Sequence, residues 1–505
     1  MIDTKVVSQN LDQNLETLKR LFHIDVNMDI VFREFVTGYG KRCFLVYMDG
    51  MANQQSISDF IIRPLLLADK LAEKTADGHA PSVSDFVQPS KSESAQKIDD
   101  VVTGVLSGDT AIFEDGLDSA VVCETKGFDS RSVSNPTSEV VVKGSQESFT
   151  EVMRTNVTLI RRIIKSSRLC TEFITVGDVN KNLCAVLYID GIVNKDILQE
   201  VRRRLGEIKG DFIMGSGMVE QMIEDKPFSL FPSILSTERP DRVATYLSSG
   251  RVAIVCDGSP FVIVVPVSIS VLLDSPEGVT TRWANGTLPR LIRMFALFGT
   301  TMLSGVYLAL ILFHREMIPT QLLNAIVAAQ SNVPFPSLVE VLLMELFFEL
   351  VREAGLRTPS SLGGAIGIVG ALILGQSAVE ANLVSPATLI VVALSGLSNS
   401  TLPDYDLAFG LRTLKLIFIL LGAMLGFLGI AIGIILVLTI LGNQRSFGVP
   451  MLSYQTIKWG TGHSVLFQQP LWKQHFRPRE LKPQKAVQYP TNSRRWEHDE
   501  KEARK

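Results

Sequence analysis

The sequence predicts an α/β + α chain, a duplicated cytosolic α/β domain followed by a multi-span α-helical membrane domain. Three observations carry that expectation. Apolar residues are concentrated late: Leu291 to Phe313 holds one charge, Arg293, and the 26 residues from Leu416 to Leu441 hold none. Runs beyond about 18 apolar residues suit a membrane span, because ~20 residues at 1.5 Å rise cross the hydrocarbon core. A pair of motifs recurs at matched spacing before residue 270. The opening residues lack an apolar run after a basic start, so the region before the first span is expected to stay in the cytosol.

The elements are expected in the following order. Residues 1–28 form an N-terminal helical segment and 29–148 a first α/β subdomain. Residues 149–168 form a linker helix, 169–285 a second subdomain, 286–455 the helical membrane domain, and 456–505 a basic cytosolic tail. The duplication rests on Cys43-Phe-Leu-Val-Tyr-Met-Asp-Gly50 matching Cys184-Ala-Val-Leu-Tyr-Ile-Asp-Gly191, and on a second motif around Gly108 and Gly250. The separations are 58 and 59 residues. In each subdomain an apolar strand ends in Asp-Gly, a helix follows (Ile57 to Leu71; Lys195 to Leu205), and then a hairpin. Asp-Gly between β-rich runs signals a hairpin because the turn needs positive φ. Asp49, Asp115, Asp190 and Asp257 are therefore read as turn residues, with metal binding or catalysis the alternative. The polar, Ser-rich stretch at about 75–99 reads as a mobile loop. Phe149 to Lys165 reads as an amphipathic helix whose Arg154, Arg161 and Arg162 face either solvent or an acidic partner.

Four spans are expected: Leu291–Phe313, Leu362–Val379, Ala387–Leu402 and Leu416–Leu441. The second and third are alternatively a re-entrant pair. Pro336 to Glu353 carries Glu345, Glu349 and Glu353 on one face, too many carboxylates for lipid, so it reads as interfacial or as lining a watery vestibule. Four spans return the C-terminus to the cytosol, which suits eleven Lys/Arg against five Asp/Glu from Ile457 onward. Arg412 and Lys415, which that topology places outside, argue against it. Gly422, Gly426, Gly429 and Gly433 are candidate helix-packing residues, since small residues four apart let backbones approach in lipid. Ile366, Val369, Ile373, Gln376 and Glu380 share one helical stripe, apolar at one end and polar at the other. That stripe suits a pore with a dewetting constriction or, equally, a tightly packed bundle.

The sequence shows no metalloprotease, P-loop, nucleophile-elbow or kinase motif, so no enzyme and no cofactor is expected. The five cysteines lack zinc spacing and read as reduced core residues. No basic stripe supports nucleic-acid binding.

From Gly108 to about Tyr454 the chain resembles the A subunits of GerA-type nutrient germinant receptors of endospore-forming bacteria. The matching stretches include Phe149-Thr-Glu151, Thr237-Glu-Arg-Pro-Asp241, Asp257-Gly-Ser-Pro260, Glu316-Met-Ile-Pro319, Val333-Pro-Phe-Pro336, Gly370-Ala-Leu-Ile-Leu-Gly-Gln376 and Ser446-Phe-Gly-Val-Pro450. The resemblance implies a multi-pass subunit of the spore inner membrane that oligomerises into a nutrient-gated ion channel. It implies a transporter-like B-type subunit and a lipoprotein C-type subunit as partners, besides membrane lipid and further copies of this chain. The alternative is a related sporulation-stage membrane paralogue, or a scaffolding protein assisting ion release without sensing nutrients itself.

Overall fold

A computed structural model describes the chain except residues 1–5, 69–80, 89–90, 128–134, 137, 142, 279–280, 358–372, 453–467 and 491–505. The chain divides into two compact units. One comprises Met1–Glu224, Ile234–Pro266 and His475–Lys505, the other Asp225–Ser233 and Val267–Gln474.

The first unit contains two five-stranded antiparallel sheets. Strands β1 (Ile30–Val36), β2 (Arg42–Met48), β3 (Ser92–Ala95), β4 (Thr110–Glu114) and β5 (Ala120–Cys123) lie in the order β1-β2-β4-β5-β3. Strands β6 (Leu169–Val176), β7 (Asn182–Ile189), β8 (Leu235–Thr237), β9 (Val252–Cys256) and β10 (Val262–Val265) lie in the order β6-β7-β9-β10-β8. Each strand of one sheet thus has a counterpart in the other. The register agrees as well, with Cys43 opposite Glu114 and Cys184 opposite Cys256. Central strands β4 and β9 are buried along their whole length, as expected of strands covered on both faces. The Asp-Gly turns close hairpins β4–β5 and β9–β10. Gly108 and Gly250 sit at φ 97° and 101°, where a Cβ would be strained.

The equivalence reaches further toward the N-terminus than the motif pair. In helix Leu11–Leu21, the Asn14 amide brackets the Ser8 backbone, accepting from its N–H at 2.9 Å and donating to its carbonyl at 2.6 Å. In helix Met153–Ile163, Asn156 does the same to Thr150 at 2.7 and 2.6 Å. The Asp115 and Asp257 carboxylates accept the first helical N–H of these helices, from Leu11 and Met153, favourable charges at a helix N-terminus. The segment expected as a linker helix is therefore the opening helix of the second repeat.

Arg161, expected on a solvated face or against an acidic partner, is 2% exposed. Its guanidinium holds Asp29 through two bonds of 2.7 Å, and it also donates to the Leu169 carbonyl, Asn27 and Thr171. Met28 N–H donates to the Thr171 carbonyl at 3.1 Å, which brings the entry of β1 alongside β6. An acidic partner exists, but it lies in the first repeat of the same chain. Arg154 and Arg162 do sit at the surface, paired with Asp49 and Glu147.

The stretch expected as a mobile loop holds a helical turn, Val83–Phe86, and strand β3. Residues 75–80 and 89–90 of it lie outside the described residues. The Val83 N–H donates to Glu114 at 2.8 Å, which fixes that turn against the sheet. Part of the tail is ordered on the second repeat. Arg477 donates to the carbonyls of Ser248, Lys485 and Val487, and Gln484 bonds the backbone of Ile192 and Val193.

The second unit is helical. Its elements are Trp283–Phe313, Thr320–Gln330, Ser337–Arg357, a helical stretch over 373–380, Pro386–Ser400, Tyr405–Leu425 and Phe427–Asn443. Among the described residues two helices are long and apolar enough to cross a membrane, Trp283–Phe313 and Tyr405–Leu425. Pro386–Ser400 and Phe427–Asn443 are apolar but shorter. The expected continuous span Leu416–Leu441 is broken at Gly426, whose φ of 61° and ψ of −140° end one helix and begin the next. The chain reverses there, because Gly429 packs on the Leu421 carbonyl and Gly433 on the Phe418 ring. The expected span Ala387–Leu402 is a 15-residue helix, about 22 Å long and short of the ~30 Å core.

Candidate functional site

The helical unit carries the chemistry that composition alone made hard to place. Helix Ser337–Arg357 is expected at an interface or lining a watery vestibule because of its carboxylates. The structure turns two of them inward, Glu340 at 1% and Glu345 at 4% exposure. Glu345 accepts from Ser304 Oγ at 2.9 Å and pairs with Lys415 Nζ. One turn further along, Glu349 pairs with Arg412 and Arg352. Glu340 accepts from the Ser385 N–H and from Thr388 Oγ1. Thr388 also meets the Tyr307 hydroxyl at 3.0 Å.

Arg412 and Lys415, which the expected four-span topology puts on the outer side, lie along the long apolar helix Tyr405–Leu425. Intramembrane charges are tolerated when they face the bundle interior and pair with one another. Their spacing of three residues on one helix faces a spacing of four on the other, so two ion pairs form side by side. The Lys415–Glu345 pair is buried on both sides, so removing one member strands its partner and costs about 3–5 kcal/mol. The sequence held a signal for this: opposite charges at helical spacing within two otherwise apolar segments.

The glycines of the last helices lie as follows. Gly422 sits on Gly305 of helix Trp283–Phe313, so close that a Cβ on either would overlap the facing backbone. Gly429 and Gly433 pack within the reversed pair, and Gly426 forms the reversal itself. Of the stripe expected to line a pore, Ile366 and Val369 lie outside the described residues. Ile373, Gln376 and Glu380 share an exposed face of the helical stretch over 373–380, Ile373 being 56% exposed. The opposite face is buried, with Ala378 in the core and Gly375 against Leu389.

The Asp-Gly turns of the α/β unit gather no metal-ligand cluster among the described residues. All five cysteines are buried and free. Burial beside Glu114 pushes the Cys43 thiol up to about 12 and burial pushes Cys123 to about 12 as well, which keeps both as unreactive thiols at neutral pH.

The profile of the family described as Bacillus/Clostridium GerA spore germination protein matches residues 16–480. Spore germination protein KA of Bacillus subtilis (strain 168) is 37% identical over 486 residues, 95% of this chain and 88% of that protein. Spore germination protein A1 of the same organism is 39% identical over 427 residues, 85% of this chain and 87% of that protein. Among solved structures, the N-terminal domain of the A subunit of the Bacillus megaterium spore germinant receptor GerK3 is 30% identical, with a TM-score of 0.40. It covers 52% of this chain and 96% of that one. With a profile match running from the first helix to the docked tail, the chain belongs to the GerA family of spore germination proteins.

Proposed function

We propose that this chain is the A-type membrane subunit of a spore nutrient-germinant receptor, and that copies of it assemble into a nutrient-gated ion channel. Its role is non-catalytic, and B-type and C-type receptor subunits are its partners. The observation that carries the channel reading is the two-sided helical stretch over 373–380. One face is buried on Gly375 and Ala378, and the other leaves Ile373, Gln376 and Glu380 uncovered in the single chain. A lumen built by several copies needs such a face, with branched apolar side chains to exclude water and a carboxylate to gather cations.

The membrane topology follows the same line. The segment His475–Gln488 is docked on the second α/β repeat, so the two lie on one side of any membrane. The chain between residues 283 and 474 therefore crosses it an even number of times. We assign the shared side to the cytosol, the spore core, on the strength of the expected N-terminal placement and the basic tail.

The test is ion flux from liposomes holding the purified full chain with its partner subunits. Nutrient should open a conductance. Ile373→Ala should raise the leak without nutrient, and Glu380→Gln should lower cation flux while leaving assembly intact. Absence of any conductance, with both variants behaving as wild type, discards the channel in favour of a scaffold. Labelling of the tail by an impermeant reagent applied outside the spore membrane would overturn the topology.

A further inference from the structure

Beside the two ion pairs the helical unit has a cleft of about 320 Å³, lined among others by Leu342, Leu346, Arg352, Phe409, Arg412 and Leu416. Its walls are apolar and its polar groups gather around the guanidinium groups. Among the lining residues are three cations, Arg352, Arg412 and Lys415, and two carboxylates, Glu345 and Glu349.

Each guanidinium carries five N–H donors in a planar fork. Glu349 engages Nη1 of Arg412 and Nη2 of Arg352. The Nε of each arginine is buried without a hydrogen-bond partner. Arg412 has only 9% of its side chain exposed and stacks over the Phe409 ring at 5.2 Å, which holds it against the cleft wall. A buried donor left unsatisfied is costly, and an anion relieves it.

The walls specify the rest of the ligand. Leu346, Phe409 and Leu416 are about half exposed, and other apolar side chains such as Leu350 and Leu420 are exposed on the same two helices. Arg412 lies seven residues beyond Tyr405, about 10 Å along the helix axis, close enough to one end to meet a headgroup. We propose that this cleft binds an anionic phospholipid, its phosphate seated on Arg352 and Arg412 and an acyl chain running along Leu346 and Leu416. A small soluble anion would use the arginines but leave the apolar walls uncovered. Bidentate guanidinium recognition suits phosphate, and two arginines can share one phosphate.

The proposal rests on the membrane placement given above, and its test separates the two. The full-length chain is placed in nanodiscs of equimolar phosphatidylcholine and phosphatidylglycerol, extracted, and the retained lipid counted by native mass spectrometry. Phosphatidylglycerol should be retained about tenfold over phosphatidylcholine, the ratio expected when one charge-assisted contact distinguishes two ligands. Arg352→Gln combined with Arg412→Gln should abolish that preference. Leu346→Trp fills the exposed wall, leaves both arginines and their ion pairs in place, and should abolish it as well. Equal retention of both lipids by the wild type, or an undiminished preference in Leu346→Trp, overturns the proposal. Displacement of the bound lipid by inorganic phosphate overturns it too, because the site is then one for a free anion. A chain that fails to enter nanodiscs refutes the membrane placement, and this proposal with it.

Discussion

In the first repeat, Gly127 donates its N–H to the Met51 carbonyl at 3.1 Å, and Gly108 packs against Lys126 from the same stretch of chain. In the second, Gln484 donates to the Ile192 carbonyl at 3.0 Å, and Gly250 packs against Pro483. Met51 and Ile192 are equivalent positions, each one residue past the Asp-Gly turn. The same cradle is thus filled by a segment following β5 in one repeat and by the far C-terminal segment in the other. One repeat is complete within its own stretch of sequence. Its copy is complete only when residues beyond the helical region return to it.

The interiors differ at equivalent positions too. Opposite Cys43, β4 places Glu114, held by Lys41 at 2.6 Å and by the Tyr39 hydroxyl at 3.1 Å. Opposite Cys184, β9 places Cys256, and the two sulfurs lie 3.3 Å apart. Burial and the neighbouring Glu114 raise Tyr39 well above its ordinary range, so its hydroxyl remains a donor. Duplication has kept the backbone and exchanged the chemistry inside it, because strand register constrains volume and burial more tightly than it constrains polarity when a partner is at hand.

The comparison breaks most visibly at Arg161. Arg161→Ala should cost about 3–5 kcal/mol, since it leaves Asp29 buried without its cation. Hydrogen exchange of the full chain should then show lost protection at the Met28–Thr171 junction of the two sheets. The residue at the matching place in the first opening helix, Lys19, is only partly buried. Lys19→Ala should stay within about 0.5 kcal/mol, as surface substitutions do.

Arg477→Ala sharpens the contrast between the cradles. The Ser248 carbonyl of the repeat and two carbonyls of the tail's own turn lose their donor, which at about 0.5–1.5 kcal/mol each should loosen the tail on the second repeat. Limited proteolysis would then cut near residues 477–488, while cleavage around Lys126 in the first repeat should not change. Equal sensitivity of both cradles would refute their independence.

The smallest effect is a pH dependence on the second repeat. Arg203, with Arg204 beside it, lowers Glu200 to about 2. A carboxylate with a depressed folded value contributes stability above its unfolded value of about 4.3, and that contribution is lost as pH falls toward about 2. The group is partly exposed, so screening holds the effect below about 1 kcal/mol. Glu200→Gln should flatten acid unfolding over that window, monitored by the melting temperature of the full chain between pH 5 and 2.

Much of the α/β unit was legible. The Asp-Gly hairpins, the buried strands and the duplication all follow from residues close together in sequence. The stretch around β3 was not, because Ser92–Ala95 is polar and becomes a strand only by pairing with β5. In the helical unit, the run Leu416–Leu441 read as one span because hydropathy averages across Gly426. A single residue at positive φ reverses the chain without altering the average.

The sequence by itself determined where strands and apolar helices lie, since alternation, apolar runs and glycine turns express steric preferences over a few residues. Tertiary structure alone decided which distant charges meet: Arg161 with Asp29, Lys415 with Glu345, Arg412 with Glu349. It also decided that Gln484 completes the second repeat. Pairing of this kind depends on proximity between groups 63 to 292 residues apart, and on the low dielectric that makes an unpaired partner costly, neither of which leaves a periodic mark on the chain.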